Sequence, residues 1–467
     1  MLLQAVQAVL SIEASTVVYS TATLALLLSA VFAAIIHNGA TATTRRQLRN
    51  LHRLGLSSNK SNMTDQYDSK YAIAEEDSAH GSIRIKSIYI HPVKSCGPIE
   101  VHRALLTKTG FLYDRCFAIA TLADGKWRFL SQRTKPAMAL IATELWLPHK
   151  HSDASDPLVQ AGGCLVLRFQ DPDIVAPTWM DCLESLFYQG SMAATPEVTV
   201  IVPLEPSRNQ QQQYQISQKT FTIHGRDTNG LDMSTVPSLA NAMPKLKRFL
   251  GLPTTQPLVL LRCNDDSLTR TNKNLAPLEH IGSPSVHAYT DQQPVNINSL
   301  SSVHAVSALL PTENQPLDAL RFRANLWITG APAYAEETWK RYRIIPKSTS
   351  ATKEQRASVA PALSVVCRTS RCTMPNVDPG TGKFDTDLPP EGKKRGKPQP
   401  STTLVDHRTV ESGNKAALGY LGMHCVPEDR DLKDAEEQGK GLYVEVGDEI
   451  EVMETGVHLY GSTGDDY

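Results

Sequence analysis

The sequence predicts a mixed α/β fold, mainly β, behind an N-terminal transmembrane helix. Three observations predict it. From Ile83 onward, short runs alternate apolar and polar residues and are joined by turn residues, the pattern of half-buried strands in a small barrel or sandwich. Only two long stretches repeat apolar residues at helical spacing. Near the N-terminus, Ala14 to Thr44 carry no Asp, Glu, Lys or Arg.

Within that uncharged block, Thr16 to Ile36 has the roughly 20 residues a bilayer span needs. Arg45, Arg46, Arg49 and Arg53 follow it, which places the large C-terminal part on the cytosolic side of a membrane, the mitochondrial outer membrane or the endoplasmic reticulum. A cleaved signal peptide would carry positive charge before its apolar run, and Met1 to Ile12 has none. A buried core helix or a transit peptide is the alternative. The expected organisation is an anchor over 1–44, a basic flank and flexible linker over 45–81, one globular unit over 82–280 and a second over 281–460.

In the first unit, Ile83–His91, Val101–Leu106, Arg115–Thr121, Trp127–Ser131 and Ala139–Leu147 read as strands, with Thr109-Gly110 as a turn. His149–Gly163 and the Gln-rich Asn209–Gln213 read as surface interruptions. Leu239, Met243, Leu246 and Leu250 mark a helix that Pro244 kinks and that Gly251 and Pro253 stop. In the second unit, Ser301–Leu310 reads as a helix, Arg321–Thr329 as a strand, Ala335–Tyr342 as a short helix and Leu363–Cys367 as a strand. Ser348–Ser358 and Asp385–Thr402 read as loops, and Gly447-Asp448 as a hairpin turn.

Composition excludes several classes. A net charge of −1 gives no global case for a nucleic-acid partner. Eight scattered cysteines do not make a disulfide scaffold, and none is spaced C-x-x-C as in iron–sulfur or zinc-ribbon sites. There is no Rossmann G-x-G-x-x-G.

Three segments carry chemistry. His91-Pro-Val-Lys-Ser-Cys-Gly97 offers a Lys, a Ser and backbone N–H groups to an anion such as phosphate, although alone it reads better as a polar turn. Arg321-Phe-Arg-Ala-Asn325 puts Arg323 and Asn325 on one strand face, suited to a phosphate or a heterocycle edge or simply to solvent. In Cys367-Arg-Thr-Ser-Arg-Cys372, Arg371 favours the thiolate of Cys372, a soft ligand for a redox metal, and Val377-Asp-Pro-Gly-Thr-Gly382 is a tight turn behind it. An inert cysteine, or a zinc site from Cys367, Cys372, His424 and Cys425, are the other readings.

Together these segments resemble the MOSC family, in its amidoxime-reducing branch. The resemblance runs from about Ser82 to Met453, weakest over His149–Thr235, and also rests on Tyr89-x-His-Pro-Val-Lys-Ser-Cys96, Asp114-Arg115, Ser131-Gln-Arg133 with Pro136, and Val377-Asp-Pro-x-Thr-Gly382. It implies a MOSC N-terminal β-barrel domain, then a MOSC β-barrel domain with flanking helices, with molybdopterin between them. By this resemblance Cys372 binds molybdenum, while Lys94, Ser95, Arg115, Arg323, Asn325, Ser370 and Arg371 hold the pterin and its phosphate. His424 stands where relatives place a pterin-contacting Tyr, and Gln292 and Gln293 are weaker contact candidates. The implied activity is reduction of N-hydroxylated substrates such as amidoximes and hydroxylamines. Electrons would come from a b-type cytochrome and its NADH-dependent flavoprotein reductase. A cofactor carrier or sulfur-handling module, or a structural membrane protein with a degenerate site, are the rival readings.

Overall fold

The computed structural model describes residues 16–30, 40–57, 60–79, 81–189, 194–271, 276–347, 355–389, 392, 394–411 and 418–458. Two barrels organise it. The smaller closes from five strands, in the order Gln218–Ile223, Arg226–Asp232, Leu258–Arg262, Phe117–Ala123 and Lys126–Phe129. The larger sheet has eight strands, running Leu326–Thr329, Val295–Ser299, Gly419–Pro427, Ala362–Arg371, Trp339–Ile345, Glu449–Thr455, Arg84–Ile90 and Ile99–Val101. It closes on itself because Leu326–Thr329 also pairs with Arg84–Ile90. Arg84–Ile90 therefore completes a barrel built mostly from the chain's second half. A four-stranded sheet of Leu51–Arg53, Ala142–Pro148, Cys164–Gln170 and Glu197–Pro203 packs beside them.

Local sequence explains the main elements. Alternation along Arg84–Ile90 gives way to burial of every residue from Ser87 on, because the strand is covered on both faces inside the structure. The helix Pro237–Phe249 starts on a proline at its first position and buries Leu239, Ala242 and Leu246. Pro244 is carried within one helix, rather than splitting it. Leu300–Leu309 is helical as expected.

Other expectations change. The transmembrane helix is not supported: among the described residues no helix is long and apolar enough to cross a membrane. Positions 31–36 of the expected span lie outside the described residues. The single-pass anchor, and the mitochondrial or reticular address drawn from it, fall with it. The basic flank is a packed helix, Ala40–Gln47, in which the Thr41 N–H donates to Glu184 and Arg45 stacks on Tyr188. Met63 and Ile73, in the expected linker, are buried, and the Ala319 N–H donates to the Gln66 side chain.

The Gln-rich run is a helix, Arg208–Gln213, with a Ser207/Gln210 capping box. Ala335–Thr338 is only a 3-10 turn, after which Trp339–Ile345 is a strand. Gly447-Asp448 does turn the chain, but Tyr443–Glu445 pairs with Arg103–Thr107 and Glu449–Thr455 with Trp339–Ile345. The Asp448 carboxylate, fully buried against Arg356, holds that corner.

Candidate active site

The seam between the two barrels holds a cavity of about 220 Å³. Lys94, Ser95, Arg115, Arg323, Asn325, Ser370, Arg371, Cys372 and His424 all line it, so one pocket gathers side chains that stand up to 330 positions apart.

Each wall has a local cause. The turn after Arg84–Ile90 is pinned where the Lys94 N–H donates to Phe117 and the Gly97 N–H to Ile141. Ser95 sits in left-handed backbone at φ 67°. Arg115 (φ 47°) and Arg323 (φ 52°) do the same, and such positions are uncommon for residues other than glycine and concentrate at functional sites. Gly110 lets the chain pass here: at φ 99°, an added Cβ would lie 2.4 Å from the Pro294 carbonyl oxygen.

Arg323 and Asn325 do not share a strand face. Ala319–Phe322 is a 3-10 turn, Arg323 caps it, and the strand begins at Leu326. Asn325 is a tie within the wall. Its Nδ2 donates to Tyr89 O at 3.1 Å and its Oδ1 accepts from the Asn296 N–H at 3.1 Å.

The arginines divide by partner. Arg115 pairs with Asp114 at 2.5 Å and donates to Arg323 O at 2.9 Å. Arg321 binds Asp378 at 2.9 Å and Asp385 at 2.5 Å, clamping the loop behind Cys372 to the pocket wall. Asp378 also accepts the Gly380 and Thr381 N–H groups, which makes the Val377–Gly382 turn rigid. Arg323 and Arg371 form no ion pair among the described residues. Arg323 donates to Cys96 O at 2.7 Å, and its buried Nη2 has no partner. Arg371 donates to Leu421 O at 2.7 Å and Phe322 O at 2.8 Å, with a longer 3.4 Å contact to Asn296. Burial pulls both guanidinium pKa values down to about 10.

Cys372 is half-buried at the end of the strand Ala362–Arg371, and its Sγ accepts the Met374 N–H at 3.5 Å. His424 is buried in the middle of the strand Gly419–Pro427; burial, then the Arg371 charge, hold its pKa near 3, so the ring is neutral. Its Nδ1 is buried without a partner. Cys367 and Cys425 are buried core residues, and among the described residues no three His, Cys, Asp or Glu side chains converge as a metal site.

Sequence reasoning missed a cluster at the mouth. Asp291 Oδ1 takes both the Lys94 ammonium and His224 Nε2, the latter at 2.7 Å. Burial opposes its charge, but Lys94 and His224 hold the carboxyl well below the usual carboxylate range. Lys94 also donates to Tyr289 O at 3.0 Å. The signal for Asp291 was the polar Tyr289–Pro294 segment, in which Gln292 and Gln293 are the contact candidates that the sequence offers. These two are also in the lining.

Cations thus line the pocket of one half-buried thiol, and two inner ones, Arg323 and Arg371, lack an acidic partner among the described residues. Buried cations of this kind need an anion to complete them. The fold and the site define a two-barrel protein with a thiol-bearing pocket lined by cationic side chains. Family comparison gives that class its name: residues 82–164 match the MOSC N-terminal beta barrel domain and residues 284–451 the MOSC domain. The chain belongs to the MOSC-domain proteins. It is 22% identical over 335 residues to human mitochondrial amidoxime reducing component 2, covering 71% of this chain and 74% of that one. It is 24% identical over 275 residues to a molybdenum cofactor sulfurase of Oryza sativa subsp. japonica, 57% of this chain but 26% of that protein.

Proposed function

We propose that this chain holds a molybdenum cofactor with molybdopterin and reduces N-hydroxylated compounds such as amidoximes and hydroxylamines. Electrons would reach it from a b-type cytochrome fed by an NADH-dependent flavoprotein reductase. The observation that carries the reading is the pair of arginines, Arg323 and Arg371, that stand beside Cys372 without a carboxylate.

The residues present fit such a group. Cys372 would hold the metal, its sulfur facing the pocket and accepting the Met374 N–H at 3.5 Å. Arg323, with an unpartnered Nη2, and Lys94, Ser95, Arg115, Ser370 and Arg371 would hold the pterin and its phosphate. His424 offers its unpartnered Nδ1 as a neutral hydrogen-bonding group, and Asn325 positions the wall rather than gripping the ligand. Bound there, the cofactor supplies the two-electron redox chemistry that the protein's side chains lack.

The match to the rice sulfurase favours a second reading, a cofactor carrier or sulfur-handling module with the same pocket and no reductase turnover. Full-length protein made in a host that synthesises molybdopterin decides between them. Near-stoichiometric molybdenum, lost in Cys372→Ala, supports the site. NADH consumption that starts only when reductase, cytochrome and an N-hydroxylated substrate are all present supports the reductase. Metal without turnover supports the carrier, and folded protein without metal sinks both.

A further inference from the structure

We infer that the His224–Asp291 pair at the pocket mouth is the proton-delivery site for the reduction, with His224 the residue that protonates the substrate nitrogen. The inference deepens the reductase reading above and rests on it.

The reaction fixes the need. R–NH–OH takes two electrons and two protons to give R–NH2 and H2O. The N–O bond breaks, the nitrogen gains one proton, and the departing oxygen gains the other. The electrons come from the cytochrome-class donor. A pocket lined by arginines holds many N–H groups, but a guanidinium gives up none of its protons near neutral pH.

The side chains that could pass a proton are few. His424 is buried, and Arg371 and Arg115 oppose its charge. Lys94 is 6% exposed and is spent on Tyr289 O and Asp291. His224 differs. Its side chain keeps 27% exposure while lining the same pocket, and its Nε2 lies 2.7 Å from an Asp291 carboxylate that is itself 50% exposed. Both members of the pair are thus accessible and both line the cavity. Phe129, 4.8 Å from the imidazole between centroids, fixes the ring's position. The charged groups facing His224 are Lys94 from the turn after Arg84–Ile90, Arg133 from the loop after Lys126–Phe129, and Asp291 from the segment before Val295–Ser299. Burial, then Lys94, lower the imidazole pKa, which makes the imidazolium a stronger acid than free histidine; Asp291 pulls the other way.

The backbone supplies a second, independent observation. His224-Gly225 is the two-residue loop of a hairpin, since Ile223 pairs with Arg226, and its φ values are 47° and 81°. Such a turn favours Asn-Gly or Gly-Gly. Histidine is one of the few non-glycine residues enriched in left-handed backbone, and at this turn it places an imidazole on the pocket.

The test uses His224→Asn, which keeps a residue at ease in this turn. Wild type and variant are compared for molybdenum content, for kcat and KM against pH, and for rescue of His224→Ala by added imidazole. The expected result is equal metal, KM changed little and kcat lower by roughly 10²-fold. The wild-type fall in kcat with rising pH should vanish in the variant, and imidazole should restore part of the His224→Ala rate. A variant with the wild-type rate and pH profile overturns this inference and leaves the reductase reading standing. A wild type that holds metal but reduces nothing overturns both.

Discussion

The floor and the mouth of the pocket are built on opposite rules. At the floor, Arg323, Asn325, Asn296 and His424 are all buried, and most of their hydrogen bonds run to backbone groups of neighbouring strands. At the mouth, Asp291, His224 and Arg133 reach solvent, and the Asp291 contacts are between side chains. A floor of this kind is set once, when the barrels fold, and presents fixed charge. A mouth of this kind can exchange protons and admit a substrate. On the proposed function, the contrast assigns binding strength to one end and turnover to the other.

The largest effect should therefore come from the floor. Arg323→Ala removes a buried cation that meets no acidic partner, along with its bond to Cys96 O. Charge-assisted contacts to a bound anion are each worth roughly 1.5–3 kcal/mol, so molybdenum and pterin content should fall by at least about tenfold. Metal analysis and pterin fluorescence of the purified variant check this. Full retention of both would mean that the floor does not hold the cofactor.

Next comes Asn325→Ala. Its amide satisfies Tyr89 O and the Asn296 N–H, both inside the sheet. Leaving them unpaired should cost about 2 kcal/mol of folding stability, read by chemical denaturation of cofactor-free protein. A cost near zero would make Asn325 a ligand contact rather than a tie.

A smaller, pH-dependent effect follows from His424. Its folded pKa is near 3 against an ordinary 6.5, so between those values the unfolded chain binds a proton that the folded one does not. The stability it contributes is complete above about pH 6.5 and is lost as pH falls toward 3. His424→Asn should flatten the difference between pH 6.5 and 4.5 in cofactor-free protein. Parallel curves for variant and wild type would show that the ring is solvated in solution.

The floor was largely legible in the sequence and the mouth was not, for a physical reason. Lys94-Ser95, Arg323 and Arg371-Cys372 each occupy a short run whose residue types state their chemistry. The start of the strand Ala362–Arg371 and the turn at Asp378 were readable from local pattern, although the strand runs four residues past the expected end at Cys367. What local pattern could not give was backbone at φ 52° in Arg323, which turned an expected strand into a capped turn. Nor could it give the meeting of Lys94, His224 and Asp291, which depends on three segments about 70 to 200 positions apart folding to one edge. The N-terminal apolar block shows the converse error: composition alone suggested a bilayer span, while among the described residues no helix is long and apolar enough to cross a membrane.

The smallest effect, and the sharpest check on the contrast, is at the rim. Arg133 lines the same cavity as Arg323 and carries the same charge, but it is exposed and forms no ion pair among the described residues. In water-like surroundings a single charge contributes up to about 1 kcal/mol, and salt screens it further. Arg133→Ala should then change cofactor retention by less than about fivefold, and the change should shrink at high ionic strength. Paired measurements on Arg133→Ala and Arg323→Ala, at low and high salt, compare one guanidinium in two environments. A loss at Arg133 equal to that at Arg323, and insensitive to salt, would show that the mouth closes over the ligand and is desolvated in the bound state. Floor and mouth would then be one binding surface, and solvent access could no longer explain why His224 rather than His424 handles the proton.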